Sequence, residues 1–291
     1  MRIAFIGLGV MGRSMALNLI KGGFEVRGFA RSKDKAVKLE ALGIPMTLSL
    51  SQAVSEAECV ITMVGGPRDV EDLYFRHEGI LNSAAKGALL IDMTSSSPDL
   101  ARRIHAEAQQ RGLEALDAPV SGGDKGARAG TLSIFAGGDQ KTFDRALPVF
   151  KAMGRDIILE GPSGAGQSTK LANQIMVAGS LAGMCEGFAF AKSQGLDLQK
   201  VFDSVRRGAA ASASLELYGE RIIAGDDQPG GALSYLVKDL RCAAGALEGS
   251  GLDLNVAAAV LKNYATMQDE GDGALGTQAL TWFYEKHRKQ N

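Results

Sequence analysis

Lys170 and Asn173 stand three residues apart in Gly164-Ala165-Gly166-Gln167-Ser168-Thr169-Lys170-Leu171-Ala172-Asn173. On a helix that spacing puts both side chains on one face. The sequence from Gly166 to Ser193 is rich in Ala, Met and Leu with little polar relief, so a lysine in its first turns is out of character. Burying an ammonium is costly and favours release of its proton, which suits proton transfer at a carbonyl. Asn173 would orient the lysine or bind a substrate hydroxyl. The same residues also fit a lysine that merely extends its ammonium to solvent. A second segment, Asp117-Ala118-Pro119-Val120-Ser121-Gly122-Gly123, runs a strand pattern into a Ser-Gly-Gly turn. Consecutive N–H groups and a hydroxyl at Ser121, Gly122 and Gly123 would cradle a carboxylate, although a purely structural turn has the same composition. Lys238-Asp239, taken alone, reads as a solvated charge pair. Cys59, Cys185 and Cys242 are widely spaced and match no metal pattern, so no metal is expected.

These groups need a reactant, and the amino terminus points to one. Gly7-Leu8-Gly9-Val10-Met11-Gly12 follows the apolar run Ile3–Ile6 and precedes an apolar stripe at helical spacing, Met11, Met15 and Leu19. A strand, a glycine turn and a helix in that order form a dinucleotide-binding unit. Gly7 makes the tight turn, Gly9 lets a pyrophosphate approach the backbone and Gly12 permits close helix–strand packing. The pyrophosphate would sit on the helix N-terminus, beside Met11. An Asp or Glu closing the second strand would select NAD by binding the ribose 2′-hydroxyl. Here Val26-Arg27-Gly28-Phe29 ends in Ala30-Arg31-Ser32, with no acid before Asp34. Arg31 offers a guanidinium and Ser32 a hydroxyl to a 2′-phosphate, which favours NADP while leaving NAD possible. Arg31 as an ordinary surface charge is the alternative.

The elements that position these residues follow from periodicity. Strand patterns at 3–6, 24–29, 59–64, 88–92, 113–117 and 132–136 alternate with helical ones at 33–42, 69–73 and 98–111. That alternation predicts a Rossmann-type α/β domain with a doubly wound, largely parallel sheet over residues 1–162. From 163 to 291 the pattern is all-helical: one long joining helix over 166–193, then 197–206, 213–224, 233–248, 255–270 and 277–289. Asn255 is the expected N-cap of its helix and Gly249-Ser250-Gly251 a break. An apolar surface around most of the long helix predicts burial between domains or in a subunit interface, hence a homodimer or homotetramer.

The 291 residues suffice for two domains, and 45% hydrophobic with 22% charged residues is ordinary for a soluble globular protein. A net charge of −1 gives no footprint for nucleic acid or an anionic membrane, so neither is expected as a partner. Apolar stretches are broken by Gly or charge before membrane-spanning length, and no signal-peptide pattern precedes the first strand. Three scattered cysteines fit a reducing compartment, and a cytoplasmic location is expected.

Taken together, FIGLGVMG at 5–12, IDMTSSSP at 91–98, DAPVSGG at 117–123, GAGQSTKLAN at 164–173 and KDL at 238–240 resemble the β-hydroxyacid dehydrogenase family. That family includes 3-hydroxyisobutyrate dehydrogenases and tartronate semialdehyde reductases, and the resemblance runs over nearly the whole chain. It implies an NAD(P)-dependent oxidoreductase acting on a small carboxylate, a β-hydroxy acid or its semialdehyde. By resemblance Lys170 is the general acid/base and Asn173 the polar residue beside it, while Ser121, Gly122 and Gly123 hold the substrate carboxylate. Ser95 and Lys238 become cofactor contacts. Met63 and Val64 lie next to the cofactor in Met63-Val64-Gly65-Gly66-Pro67, where the family more often has Met-Leu-Pro. A second departure is Pro229-Gly230-Gly231-Ala232, since Gly231 replaces the usual aromatic and implies a roomier pocket or a more mobile lid. Imine reductases and non-catalytic NADP-binding scaffolds share the architecture, but they replace or lose the lysine that stands here at Lys170.

Overall fold

A computed structural model describes residues 1–287. The chain divides into two compact units, Met1–Lys170 and a second from Leu171 onward. By contacts the division falls within the long helix, because the first turns of that helix are bonded to Asp117 and Thr94 of the first unit.

The first unit is built on a nine-stranded sheet: β1 (Arg2–Ile6), β2 (Glu25–Phe29), β3 (Met46–Thr47), β4 (Cys59–Thr62), β5 (Leu89–Asp92), β6 (Glu114–Asp117), β7 (Val120–Ser121), β8 (Leu132–Gly137) and β9 (Gly154–Gly161). The order is β3-β2-β1-β4-β5-β6-β8-β7, with β9 also on β8. Strands β3 to β6 are parallel, as the alternation of strand and helix requires. Side chains alternate between two cores. Phe5, Cys59, Ile61, Leu89 and Ile91 enter one apolar cluster, while Ala4, Ile6, Val60 and Leu90 enter the other. Burial on both faces explains why these strands read as near-continuous apolar runs.

Beyond β6 the sheet departs from the all-parallel expectation. β8 runs antiparallel to β6 through Asp117–Gly137 and to β7 through Val120–Ile134, so β6 and β7 continue one ladder across Pro119. β3 and β7 are two residues long, too short to show a period. β9 carries Arg155, Asp156 and Glu160, charges that blunt an edge strand and hide it in the sequence. The helix Gln140–Met153 was not foreseen either. It buries Phe143, Ala146, Val149, Phe150 and Met153 despite Pro148 within it. Three short helices, Leu50–Ser55, Ile80–Ser83 and Gly123–Ala129, complete the differences.

The second unit is helical among the described residues: most of Ala165–Ser193, then Leu198–Val205, Ala213–Ile223, Leu233–Ala246, Asn255–Asp269 and Leu280–Lys286. Its core gathers Leu181, Cys185, Phe188, Phe202, Leu236, Leu240, Tyr264 and Leu280. Asn255 is not the N-cap. Leu254 holds that position without a side-chain bond, and Asn255 is the first helical residue. The helix expected at 277–289 opens as a 3₁₀ turn, Thr277–Ala279, and continues to Lys286; positions 288 and 289 lie outside the described residues. Gly179, Gly183 and Gly187 do not interrupt the long helix, since an interior glycine costs only about 1 kcal/mol and packing outweighs it. The helix is therefore long and apolar enough to cross a membrane by length and composition. It nevertheless supplies the core of its unit through Ala178, Leu181, Ala182, Cys185 and Phe188. Burial all round is not seen: Met176 is 73% exposed and Phe190 65%.

Candidate functional site

The glycine turn after β1 is shaped by close approach. Gly7 has φ +98°, and a Cβ there would lie 2.1 Å from Met63 O and 2.7 Å from a methyl of Val64. A Cβ on Gly12 would fall 2.0 Å from Gly7 O. Both glycines are therefore fixed by the protein's own packing, and they bring the turn against Met63 and Val64. Gly9 differs, because a Cβ there meets nothing within 4 Å. Its bare backbone faces outward beside Val10 and Met11 at the start of the helix Val10–Lys21. That helix has no side-chain cap and no acidic residue in its first turn, which suits an external anion. Arg31 and Ser32 are exposed at the end of β2. Ser32 is the N-cap of Lys33–Glu40 but its hydroxyl makes no capping bond, and Arg31 has no ion pair among the described residues. These features fit the phosphates of a dinucleotide.

A buried polar network then links the strand ends. Thr62 at the end of β4 donates to Asp92 Oδ1 (2.8 Å) and lies 3.2 Å from the Tyr74 hydroxyl. Asp92 Oδ1 also accepts from Thr94 N (3.1 Å), and Thr94 Oγ1 accepts from Val64 N (3.0 Å). Ser95, half-buried, thus sits in a segment tied to the residue beside the glycine turn. Burial lifts the Asp92 carboxyl to about 6, against the bonds from Thr62 and Thr94 and with the charge of Asp117 adding to the rise. Asp92 and Asp117 are register partners on parallel strands, which sets two buried carboxyls side by side.

Asp117 fixes the helix that carries the lysine. Its Oδ1 accepts from Gly164 N (2.7 Å) and its Oδ2 from Gln167 N (2.8 Å). Burial raises its carboxyl above the ordinary range, opposed by those two amides. Gly164 has φ +88°, and a Cβ on Gly166 would lie 2.2 Å from Phe135 O, so the two glycines let the helix start against β6 and β8. Lys170 follows in the next turn and is only 7% exposed. Gly122 at φ +126° and Gly123 at φ +58° lead from β7 into Gly123–Ala129. Asp124 in that short helix is paired with Arg128 at 2.6 Å.

Two predicted residues fall in the second unit. Asn173 Nδ2 donates to Gln174 Oε1 (2.9 Å), and Gln174 Nε2 donates to Asp239 Oδ2 (2.7 Å). Lys238 Nζ lies 2.8 Å from Asp239 Oδ1, so Asn173 and Lys238 are joined through Gln174 and a buried aspartate. Gly231 faces open space. Within the first unit, contacts join Gly7, Met63 and Val64 to the Ser95 segment, and that segment to the helix start before Lys170. Sequence reasoning missed Thr62, Asp92, Thr94, Asp117 and Gln167 as the groups that join them. The available signal was an aspartate closing each of two neighbouring apolar strands. No group of three or more His, Cys, Asp or Glu that could hold a metal occurs among the described residues.

Residues 2–161 match the model of the NAD-binding domain of 6-phosphogluconate dehydrogenase. Residues 164–284 match that of the NAD-binding domain of NADP-dependent 3-hydroxyisobutyrate dehydrogenase. A probable mitochondrial 3-hydroxyisobutyrate dehydrogenase-like protein of Arabidopsis thaliana is 41% identical over 98% of this chain and 85% of its own. The 2-hydroxy-3-oxopropionate reductase of Escherichia coli is 35% identical over 96% of both chains. The structure of Mycobacterium tuberculosis 3-hydroxyisobutyrate dehydrogenase with L-serine superposes with a TM-score of 0.89 at 33% identity, covering 99% of each chain. A Rossmann-type domain followed by a helical one places the chain among nicotinamide-dependent oxidoreductases. The chain belongs to the β-hydroxyacid dehydrogenase family, whose members are NAD(P)-dependent hydroxyacid dehydrogenases.

Proposed function

We propose that this enzyme interconverts a small β-hydroxy acid and its semialdehyde, with NADP preferred over NAD and Lys170 as the general acid/base. The observation that carries the reading is the burial of Lys170, 7% exposed one turn beyond a helix start anchored to the strand ends. Gly7, Gly9, Met11, Gly12, Met63, Val64 and Ser95 would hold a nicotinamide dinucleotide, which when bound would supply hydride for the carbonyl carbon. Lys170 Nζ gives a proton to the carbonyl oxygen as the C–H bond forms, and takes it back from the hydroxyl in the reverse direction. Until then its ammonium polarises the carbonyl, so charge developing on oxygen meets a fixed positive group. Ser121, Gly122 and Gly123 hold the substrate carboxylate, Asn173 the substrate hydroxyl, and Lys238 is a further cofactor contact. Arg31 and Ser32 take the 2′-phosphate; their exposure and the lack of an acid at the end of β2 support NADP. The exposed apolar side chains of the long helix support a homodimer or homotetramer, and three unpaired cysteines support a cytoplasmic location.

Initial rates of NADPH and NADH oxidation with glyoxylate, tartronate semialdehyde, methylmalonate semialdehyde and succinate semialdehyde test this reading. Turnover of at least one semialdehyde with NADPH favoured is expected. Silence across the panel with NADPH still bound would overturn it.

A further inference from the structure

Gln167 has its side chain fully buried, and both ends of its carboxamide are used on the backbone of a single segment. Nε2 donates to Thr94 O at 2.7 Å, and Oε1 accepts from Ser96 N at 2.8 Å. Those two groups flank Ser95, so the amide grips that residue from both sides and leaves its side chain half-buried at the surface. The helix does not need this grip to start where it does. Asp117 already satisfies the Gly164 and Gln167 amides with its two carboxylate oxygens. What the carboxamide adds is a connection between the Ser95 segment and the helical turn that presents Lys170. Three positions on, Lys170 lies on the same side of the helix as Gln167.

We propose that Gln167 is a positioning residue that locks the Ser95 segment to the turn bearing Lys170, and so fixes the lysine's position relative to the hydride donor. The proposal rests on the reading of Ser95 as a cofactor contact and of Lys170 as the proton donor. A pair of hydrogen bonds from one planar carboxamide fixes a segment where a flexible lysine stem does not, and displacement of a reacting group by about 1 Å costs about 10²-fold in rate. The bonds also explain a fully buried glutamine, whose amide would be costly if left unpaired.

The test uses Gln167→Met, which keeps the volume and loses both bonds, and Gln167→Asn, whose shorter side chain cannot span both groups. In the whole enzyme kcat should fall about ten- to hundredfold, with the KM for the carboxylate substrate within about threefold of wild type. The deuterium isotope effect on kcat with 4-deuterated NADPH should rise as hydride transfer becomes slower than release. A role confined to packing would lower the melting temperature and leave kcat per folded site and the isotope effect unchanged, and that result would overturn the proposal. Should Gln167→Met not fold, Gln167→Asn decides by the same two readouts. If the wild type binds NADPH but reduces none of the panel, the reaction reading fails. The grip on Ser95 is then tested by NADPH fluorescence titration: a Kd raised about tenfold in Gln167→Asn supports it, and an unchanged Kd overturns it.

Discussion

The two ends of the same parallel strands are built from opposite kinds of polar contact. At the carboxyl ends, Thr62, Asp92, Thr94, Asp117 and Gln167 are buried; Thr62 bonds the side chains of Asp92 and Tyr74, and the other four hold the backbone of a loop or helix start. At the amino ends, charged side chains are exposed or half-buried and pair with each other or with strand starts. Arg2 N donates to Glu58 Oε2 at 2.8 Å, Arg27 meets Glu56 at 2.7 Å, and Arg145 reaches Glu114 at 2.8 Å. Exposed pairs of that kind contribute little. Buried carboxyls are costly unless they accept several bonds. Their concentration at one edge therefore marks where irregular backbone must be held still, and parallel sheets bind ligands at that same edge. The costly buried polar groups of the sheet lie where the chemistry is proposed to be.

The comparison is sharpened most by Lys170→Met. Removing the proposed proton donor at the carboxyl edge should lower kcat by about 10²–10⁴-fold while the Kd for NADPH stays within about threefold; near-normal turnover would break the assignment. Arg31→Ala stands at the rim of the same edge. It should reduce the NADPH-over-NADH preference in kcat/KM about ten- to hundredfold, chiefly through weaker NADPH, as paired titrations with the two cofactors would reveal.

Titration should separate the edges by sign. Because burial lifts Asp92 to about 6 from an ordinary 3.8, the folded protein binds more protons than the unfolded chain between those values. The stability contributed by this group is therefore complete below the unfolded value and is lost as pH rises through about 6. Asp92→Asn removes that loss, and should gain on the wild type by on the order of 3 kcal/mol at pH 8, with the gap narrowing as pH falls through about 6 and closing near 3.8 in thermal unfolding. Glu58 at the opposite edge has the reverse sign. The Arg2 amide holds its carboxyl below the ordinary 4.5, so its contribution is present at neutral pH and lost on acidification. Glu58→Gln should be slightly less stable than wild type at pH 7, and equal to it once Glu58 of the wild type is protonated in both the folded and unfolded states. Turnover and NADPH affinity should not move. A loss of activity in Glu58→Gln would break the division between the two edges.

The legible part of the molecule was local. Gly7–Gly12 could be read because a strand period of two changes to a helix period of 3.6 across a glycine turn, all within a dozen adjacent residues. The parallel strands β1, β2, β4, β5 and β6 were legible for the same reason, each being a short apolar run between turn signals. Lys170 was legible because a charge in an apolar helix is conspicuous. What only the tertiary structure decided depends on residues far apart in the chain. Gln167 meets Ser96 and Thr94 across 71 and 73 positions, and Asp117 meets Gly164 across 47. No periodicity encodes which buried amide a given carboxyl will accept. The antiparallel turn of the sheet at β8, the edge strand β9 and the exposed face of the long helix belong to this class as well. Periodicity fixes which residues form an element and which face is apolar; pairing partners, and the cost of burying a charge, are set only when distant segments come together.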